Sequence, residues 1–307
     1  MKPTPKFLTA ICFLALFLAN SRLMAQEFIP IWPEGKMPNT KGLKLTDSIA
    51  NERVYRVGTP GMYAFFPSAQ ENTGAAVLIC PGGGYERLAY IISGTQLAKW
   101  FNTLGMAAFV LNYRLPNSPD LVQRETAPLQ DAQRALKFIR AHAATWGIKK
   151  DKVGIQGSSA GGHLASLAGV ALQDLSPIGD SLDRFSFHPD FMMLISPVVD
   201  MGQYAHAGSR NNLLGPNPSA DKVQQYSTHL QVSKSSSPAF VVHAFNDKAV
   251  SPHNSLMLYA ALLENGVPSA LHVFPQGAHA IKIGNNPGSL DGWTILFEAW
   301  LKEMRFL

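Results

Sequence analysis

An α/β fold, a three-layer sandwich with a mostly parallel central sheet, is predicted by three features of this 307-residue chain. Short, nearly all-apolar runs recur along it, as expected of strands buried on both faces. Amphipathic stretches of helical period separate those runs. No repeat, low-complexity tract or linker interrupts the alternation, which argues for parallel strands with helices on both faces of one sheet.

In chain order, residues 54–57 and 62–66 read as an N-terminal antiparallel hairpin around Gly58-Thr59-Pro60-Gly61. The runs AAVLIC (75–80) and AAFVLN (107–112) are buried strands, and the helical pattern 95–104 between them is closed by Gly105. Residues 126–146 form the longest amphipathic helix, with Leu129, Ala132, Leu136, Ile139 and Ala143 at three- and four-residue steps. A strand at 153–156 leads into a small-residue helix from Ser159 onward. Further strands are expected at 191–195, 239–245 and 270–274, and a helix at 253–264 stops at Asn265-Gly266. The last helix, 290–304, carries the apolar stripe Trp293, Leu296, Phe297 and Trp300. The stretch 200–238 is polar and irregular, with one short helix near 221–230; such segments in α/β enzymes are more often binding walls than spacers.

Composition narrows the class. With 46% hydrophobic and 15% charged residues the chain has ample material for a core. Lys2 and Lys6 precede an apolar run, 7–19, too short to span a bilayer, and Leu23-Met24-Ala25 offers a small residue at a cleavage point. Residues 1–25 therefore read as a signal peptide, with one domain over 26–307, a secreted or periplasmic location and no membrane anchor. Removing the leader takes away Lys2, Lys6 and Arg22 and no acidic residue, so the formal charge falls from +5 to +2. No later Lys/Arg block suggests a nucleic-acid partner. Cys80 is then the single cysteine, so neither an internal disulfide nor a Cys-based metal site is expected, and no His pair sits at helical metal spacing with an acidic partner.

The chemistry centres on one serine. Only Gly157-Ser158-Ser159-Ala160-Gly161 fits the frame Gly-x-Ser-x-Gly, with Ser159 central and Ser158 in a tolerant position. That spacing marks a sharp strand-to-helix turn whose central residue projects above the sheet edge, and whose flanking positions must lack bulk. Pro81-Gly82-Gly83-Gly84-Tyr85 follows a buried strand where an oxyanion-binding loop would lie, so the N–H groups of Gly83, Gly84 and Ala160 are the expected donors. His279, in the loop after the last strand, is the expected base; His272 and His243 lie inside strands and His253 opens a helix. Asp247, just past the penultimate strand, is the expected acid, with Asp200 one strand earlier as its rival. His163, behind the serine, reads as a buried structural donor. Tyr85 could line an acyl pocket, and His206 and Arg210 could meet a sugar or a carboxylate.

Taken with those positions, the stretches 98–115 (AKWFNTLGMAAFVLNYRL), 131–148 (DAQRALKFIRAHAATWGI), 157–165 (GSSAGGHLA), HAGSRNNLLG (206–215), NDKAV and FPQGAH resemble bacterial α/β-hydrolases of the carbohydrate-esterase type, which include acetylxylan and feruloyl esterases and related acetylesterases. The likeness runs from about Gly74 to the C-terminus. It implies the α/β-hydrolase fold and a Ser159–His279–Asp247 triad working through an acyl-enzyme, with no metal or organic cofactor. It also implies an acylated carbohydrate as substrate, acetyl being preferred. One departure stands out: the family usually has Gly-Gly-His-Gly where this chain has Gly277-Ala278-His279-Ala280. The alternatives are a feruloyl esterase, a serine peptidase of the same fold and a non-catalytic binding protein. A peptidase usually brings a gating second domain, whereas the filled triad positions argue against a binding protein. A lipase would need a greasy lid, and 200–238 is polar. Nothing in the sequence supplies the paired carboxylates of a glycosidase.

Overall fold

The computed structural model, which describes residues 27–279 and 281–307, sets the predicted buried runs side by side in one sheet. The leader expected over 1–25, and Ala280 beside the histidine, lie outside the described residues. The strands are β1 (Glu27–Pro30), β2 (Ser48–Ala50), β3 (Arg53–Arg56), β4 (Gly61–Phe65), β5 (Ala76–Cys80), β6 (Ala107–Asn112), β7 (Val153–Ser158), β8 (Met192–Ile195), β9 (Ala239–Ala244) and β10 (Ser269–Phe274). The helices are α1 (Gln96–Thr103), α2 (Ala127–Ala141), α3 (Ala160–Val170), α4 (Ala207–Leu214), α5 (Ala220–Tyr226), α6 (His253–Glu264) and α7 (Trp293–Glu303).

The main sheet runs β1-β4-β6-β5-β7-β8-β9-β10. From β6 to β10 every pairing is parallel, and β4 is antiparallel to both β6 and β1. Side chains of a strand alternate between faces, so each strand feeds both helix layers. Ala76, Leu78 and Cys80 of β5 belong to one buried cluster with Leu136 of α2, Leu164 of α3 and Leu258 of α6. Val77 and Ile79 turn the other way, into a second cluster with Phe101 of α1 and Trp293 and Phe297 of α7. This is the α/β-hydrolase-like arrangement, a mostly parallel sheet flanked by helices.

Several boundaries differ from expectation. The hairpin expected between 54–57 and 62–66 does not form. β4 already has β1 and β6 on its two edges, so β3 has no edge to join and pairs instead with β2 in a separate two-stranded ribbon. The turn at 58 serves that ribbon: the Gly58 N–H donates to Asp47 Oδ1 at 2.6 Å, and a Cβ there would meet the Leu45 carbonyl at 2.4 Å. The segment 200–238 holds two α-helices, α4 and α5, and a 3-10 turn at Thr228–Gln231, rather than one helix. Leu296, expected in the buried stripe of α7, is 39% exposed, while Trp293, Phe297 and Trp300 are buried.

α2 ends at Ala141, short of the expected 146, and it is not amphipathic in effect, because its polar side is covered as well. Arg134 pairs with Asp180, and Lys137 with Asp174 and Asp183, all from the loop that follows α3. Asp131 accepts from Trp32 Nε1 at 2.8 Å and from the Arg114 guanidinium. Long charged side chains at the polar positions bury their stems and find fixed partners. Among the described residues, no helix is long and apolar enough to cross a membrane.

Candidate active site

Ser159 sits between β7 and α3 with φ 57° and ψ −122°, a conformation rare for a residue with a side chain. The turn is tight for the reason its glycines suggest. A Cβ on Gly157 would lie 2.1 Å from the Gly161 carbonyl, and one on Gly161 would lie 2.0 Å from the carbonyl of Cys80 on the adjacent strand. The Ser159 backbone is fixed from both sides: its N–H donates to Ile195 O at 3.0 Å, and its carbonyl accepts from Val198 and His163. Ser158 Oγ accepts from Gln156 Nε2 and makes no contact with His279.

The acid and the histidine come from the ends of β9 and β10. Asp247 Oδ1 accepts from the Ala249 and Val250 N–H groups at 2.9 and 3.0 Å. Its Oδ2 lies 2.7 Å from His279 Nδ1, and His279 Nε2 lies 2.9 Å from Ser159 Oγ. A carboxylate can only accept, so Nδ1 carries a proton, and Nε2 is placed to accept from the serine hydroxyl. Burial pushes the Asp247 carboxyl up. Hydrogen bonds from His243 and His279, with the backbone donors, outweigh that and hold it well below the usual carboxylate range. Asp200 does not reach the histidine: its carboxylate accepts from the Gly202 and Tyr204 N–H groups and the Ser227 hydroxyl, closing its own loop.

The glycine loop after β5 lies against this serine, since a Cβ on Gly82 would stand 2.7 Å from the Ser158 carbonyl and 3.3 Å from Ser159 Cβ. It is pinned at several points: Gly82 N–H donates to Ser93 Oγ, Tyr113 Oη–H to Pro81 O, and Asn212 Nδ2–H to Gly84 O. The N–H groups of Gly83, Gly84 and Ala160 have no acceptor among the described residues. Gly83, at φ 134°, tolerates no side chain, for a Cβ there would strike the Arg87 carbonyl at 2.1 Å.

A family model described as BD-FAE matches residues 62–262. The chain belongs to the BD-FAE family. These are α/β-hydrolase esterases related to acetylxylan esterases and other carbohydrate esterases. The chain is 32% identical over 232 residues to an acetylxylan esterase of Xylanibacter ruminicola, a match covering 74% of this chain and 45% of that protein. It is 34% identical over 218 residues to endo-1,4-beta-xylanase B of Butyrivibrio fibrisolvens, covering 71% of this chain and 34% of that protein. The chain thus spans less than half the length of these curated relatives. Among solved structures, it resembles the acetyl ester-xyloside bifunctional hydrolase of Caldicellulosiruptor lactoaceticus with a TM-score of 0.77 and 33% identity, covering 92% of this chain and 97% of that one.

In this BD-FAE chain the serine and histidine open onto a cavity of about 400 Å³, large enough for a sugar ring with its acyl group. Ile92, Leu97 and Ile195 give it an apolar wall, and His206, Gly208 and Asn212 of the 200–238 segment face it from across. His206 Nδ1 accepts from the Ser209 N–H and hydroxyl, which leaves the proton on Nε2. Burial, and then the nearby His279, lower the His206 pKa, so the ring stays neutral at neutral pH.

Two expected contacts move. Tyr85 does not line the pocket: it is fully buried at φ 59°, and its Oη–H donates to His163 Nδ1 at 2.8 Å. His163 is in turn fixed as neutral, because its Nε2–H donates to the Tyr226 carbonyl at 2.7 Å and burial pushes its pKa down to about 4. Arg210 does not line the cavity either. Gly208 and Asn212, four apart on α4, both line it, and Arg210, halfway between them in the helical turn, does not. Sequence reasoning missed Asn212, Ser93 and Asn246, whose Oδ1 accepts the Ala278 N–H at 2.8 Å and ties the histidine loop to the acid loop. A polar side chain that braces a distant loop leaves no local signature.

Proposed function

We propose that the chain is a serine carboxylic-ester hydrolase that removes O-acyl groups, acetyl foremost, from hemicellulose-type carbohydrates outside the cytoplasm. The observation that carries this reading is the hydrogen-bonded line from Asp247 through His279 to Ser159, beside the free N–H groups of Gly83, Gly84 and Ala160. His279 Nε2 takes the Ser159 proton as Oγ attacks the ester carbonyl, and Asp247 stabilises the imidazolium that results. The three N–H groups receive the developing oxyanion. His279 then protonates the leaving sugar oxygen, leaving an acyl-serine, and water activated by the same ring releases the acid.

The carbohydrate part rests on the family, on the activities named for its relatives, and on a pocket wall that offers the His206 Nε2–H and the Asn212 amide to hydroxyl-rich ligands. Export rests on the leader-like 1–25. The apolar wall of Ile92, Leu97 and Ile195 favours a feruloyl group as the second reading.

The test is kcat/KM for acetylated xylo-oligosaccharides against feruloylated ones and long-chain acyl esters, with Ser159→Ala and Ser158→Ala alongside. Acetylated sugars should lead, Ser159→Ala should lose several orders of magnitude, and Ser158→Ala should keep most activity. A tenfold preference for palmitoyl esters, about 1.4 kcal/mol in the transition state, would overturn the carbohydrate reading.

A further inference from the structure

His243 is the last residue but one of β9, is fully buried, and has no part in the reaction described above. By strand parity it shares a face with Ala239 and Val241, the side covered by α6. There its Nδ1 lies 2.7 Å from Ser255 Oγ, and its Nε2 lies 3.1 Å from the Val250 carbonyl and 3.3 Å from Asp247 Oδ2. Both partners of Nε2 are acceptors, so Nε2 bears a proton, and Nδ1 is placed to accept from the Ser255 hydroxyl. That Nε2–H is bonded to the Val250 carbonyl and lies beside the same Asp247 oxygen that His279 uses.

Asp247 Oδ2 thus stands between two imidazoles, one buried and one facing the cavity, while Oδ1 is held by the Ala249 and Val250 N–H groups. Without His243 the only partner left to Oδ2 would be His279, the ring that the acid has to orient, and carboxylate and ring could swing together about the Oδ1 anchor. We infer that His243 is a positioning residue: with Ser255 locking its tautomer, its Nε2–H holds Asp247 Oδ2 in line with His279 Nδ1. The inference rests on the proposed triad. His243 is among the groups that keep the Asp247 carboxyl ionised, so the negative charge is in place when His279 becomes an imidazolium.

The experiment compares His243→Leu, His243→Gln, Ser255→Ala, Asp247→Asn and the double variant His243→Leu/Asp247→Asn, measuring kcat and KM on an aryl acetate and thermal unfolding of each. His243→Leu should lower kcat by roughly tenfold or more with KM within about twofold, and His243→Gln, which keeps an N–H donor, should recover most of the loss. Ser255→Ala should lower kcat a few-fold. In the Asp247→Asn background, His243→Leu should add nothing, because its effect passes through that carboxylate. Equal losses in the Leu and Gln variants, or a full further loss in the double variant, would overturn the inference and leave the triad standing. If His243→Leu does not fold, an unchanged kcat in Ser255→Ala overturns it. Should Asp247→Asn itself keep its kcat, the triad reading fails instead.

Discussion

Asp131 and Asp247 are both buried carboxylates that receive N–H donors on both oxygens, yet the two regions are built for opposite ends. Asp131 takes the Trp32 indole and the backbone, Nε and Nη2 donors of Arg114, so its charge is cancelled in place by a guanidinium that is itself 3% exposed. The pair clasps the segment before β2, the loop after β6 and helix α2 together. Asp247 takes two backbone N–H groups and the His279 imidazole, with the His243 ring 3.3 Å away, and no guanidinium or ammonium group. Its charge is solvated but not cancelled, and it remains available to a cation that forms only during the reaction. A buried carboxylate clamps when its counter-charge is permanent; it can support catalysis when its counter-charge is absent until the proton moves.

Replacing each carboxylate by its amide should separate these roles. Asp247→Asn should lower kcat by about 10³–10⁴, since the histidine loses its tautomer and its counter-charge. Its unfolding free energy should change by roughly 1 kcal/mol, because no ionised partner is stranded. Asp131→Asn leaves the Arg114 charge buried without its partner and should cost about 3–5 kcal/mol of stability, while the protein that remains folded keeps nearly native kcat. Urea unfolding and initial rates on the same samples check both. Should Asp131→Asn lower kcat a hundredfold in folded protein, or Asp247→Asn destabilise as much as Asp131→Asn, the distinction would collapse.

The reaction core was far more legible in the sequence than its surroundings, and the two carboxylates show why. Asp247, Ser159, His279 and the glycine loop sit at strand ends, where backbone sterics demand particular residues at fixed local spacing: Gly157 and Gly161 because no Cβ fits, Asp247 because it caps its own turn through Ala249 and Val250. The parallel strands were readable for a similar reason, as both-face burial leaves an unbroken apolar run. What Asp131 does could not be read, for its partners are 17 and 99 residues away in sequence. The same holds for Arg134 and Lys137, on the polar side of an apparently amphipathic helix, and for Asn212, which braces a loop 128 residues away. The failed hairpin belongs here too: local alternation identified strands β3 and β4, but not which edges were already occupied.

His163 extends the comparison to a group whose charge the fold excludes altogether. Its pKa falls to about 4 in the fold, against about 6.5 in an unfolded chain. A depressed histidine pKa means that the unfolded state takes up the proton first. Its contribution is therefore intact above about pH 6.5 and is lost as pH falls from there toward about 4, by about 3 kcal/mol in all. Unfolding free energies at pH 7.5 and 4.5 should show that loss, and His163→Gln should remove it from the difference between the two pH values. An identical pH difference in the variant would mean that other histidines carry the effect.

The smallest effect is expected at Ala278, where the resemblance read from the sequence implies a glycine. The residue takes φ 51°, a region that costs a side-chain-bearing residue about 1–2 kcal/mol and a glycine almost nothing. Even so, His279 reaches both Asp247 and Ser159, because the loop is held by contacts that do not involve the Ala278 methyl: the Ala278 N–H on Asn246, and Gly277 packed where a Cβ would strike Leu290 at 2.3 Å. Ala278→Gly removes the strain but returns about 0.4–1 kcal/mol of freedom to the unfolded chain, so the two effects nearly cancel. The melting temperature should rise by no more than a few degrees, and kcat should stay within about threefold of wild type. A tenfold rise in kcat with KM unchanged would show instead that the alanine holds the histidine off line. That result would move Ala278 from a tolerated departure to a brake on the triad, and would place part of the control of Asp247's reactive partner in the loop rather than in the buried donors around the carboxylate.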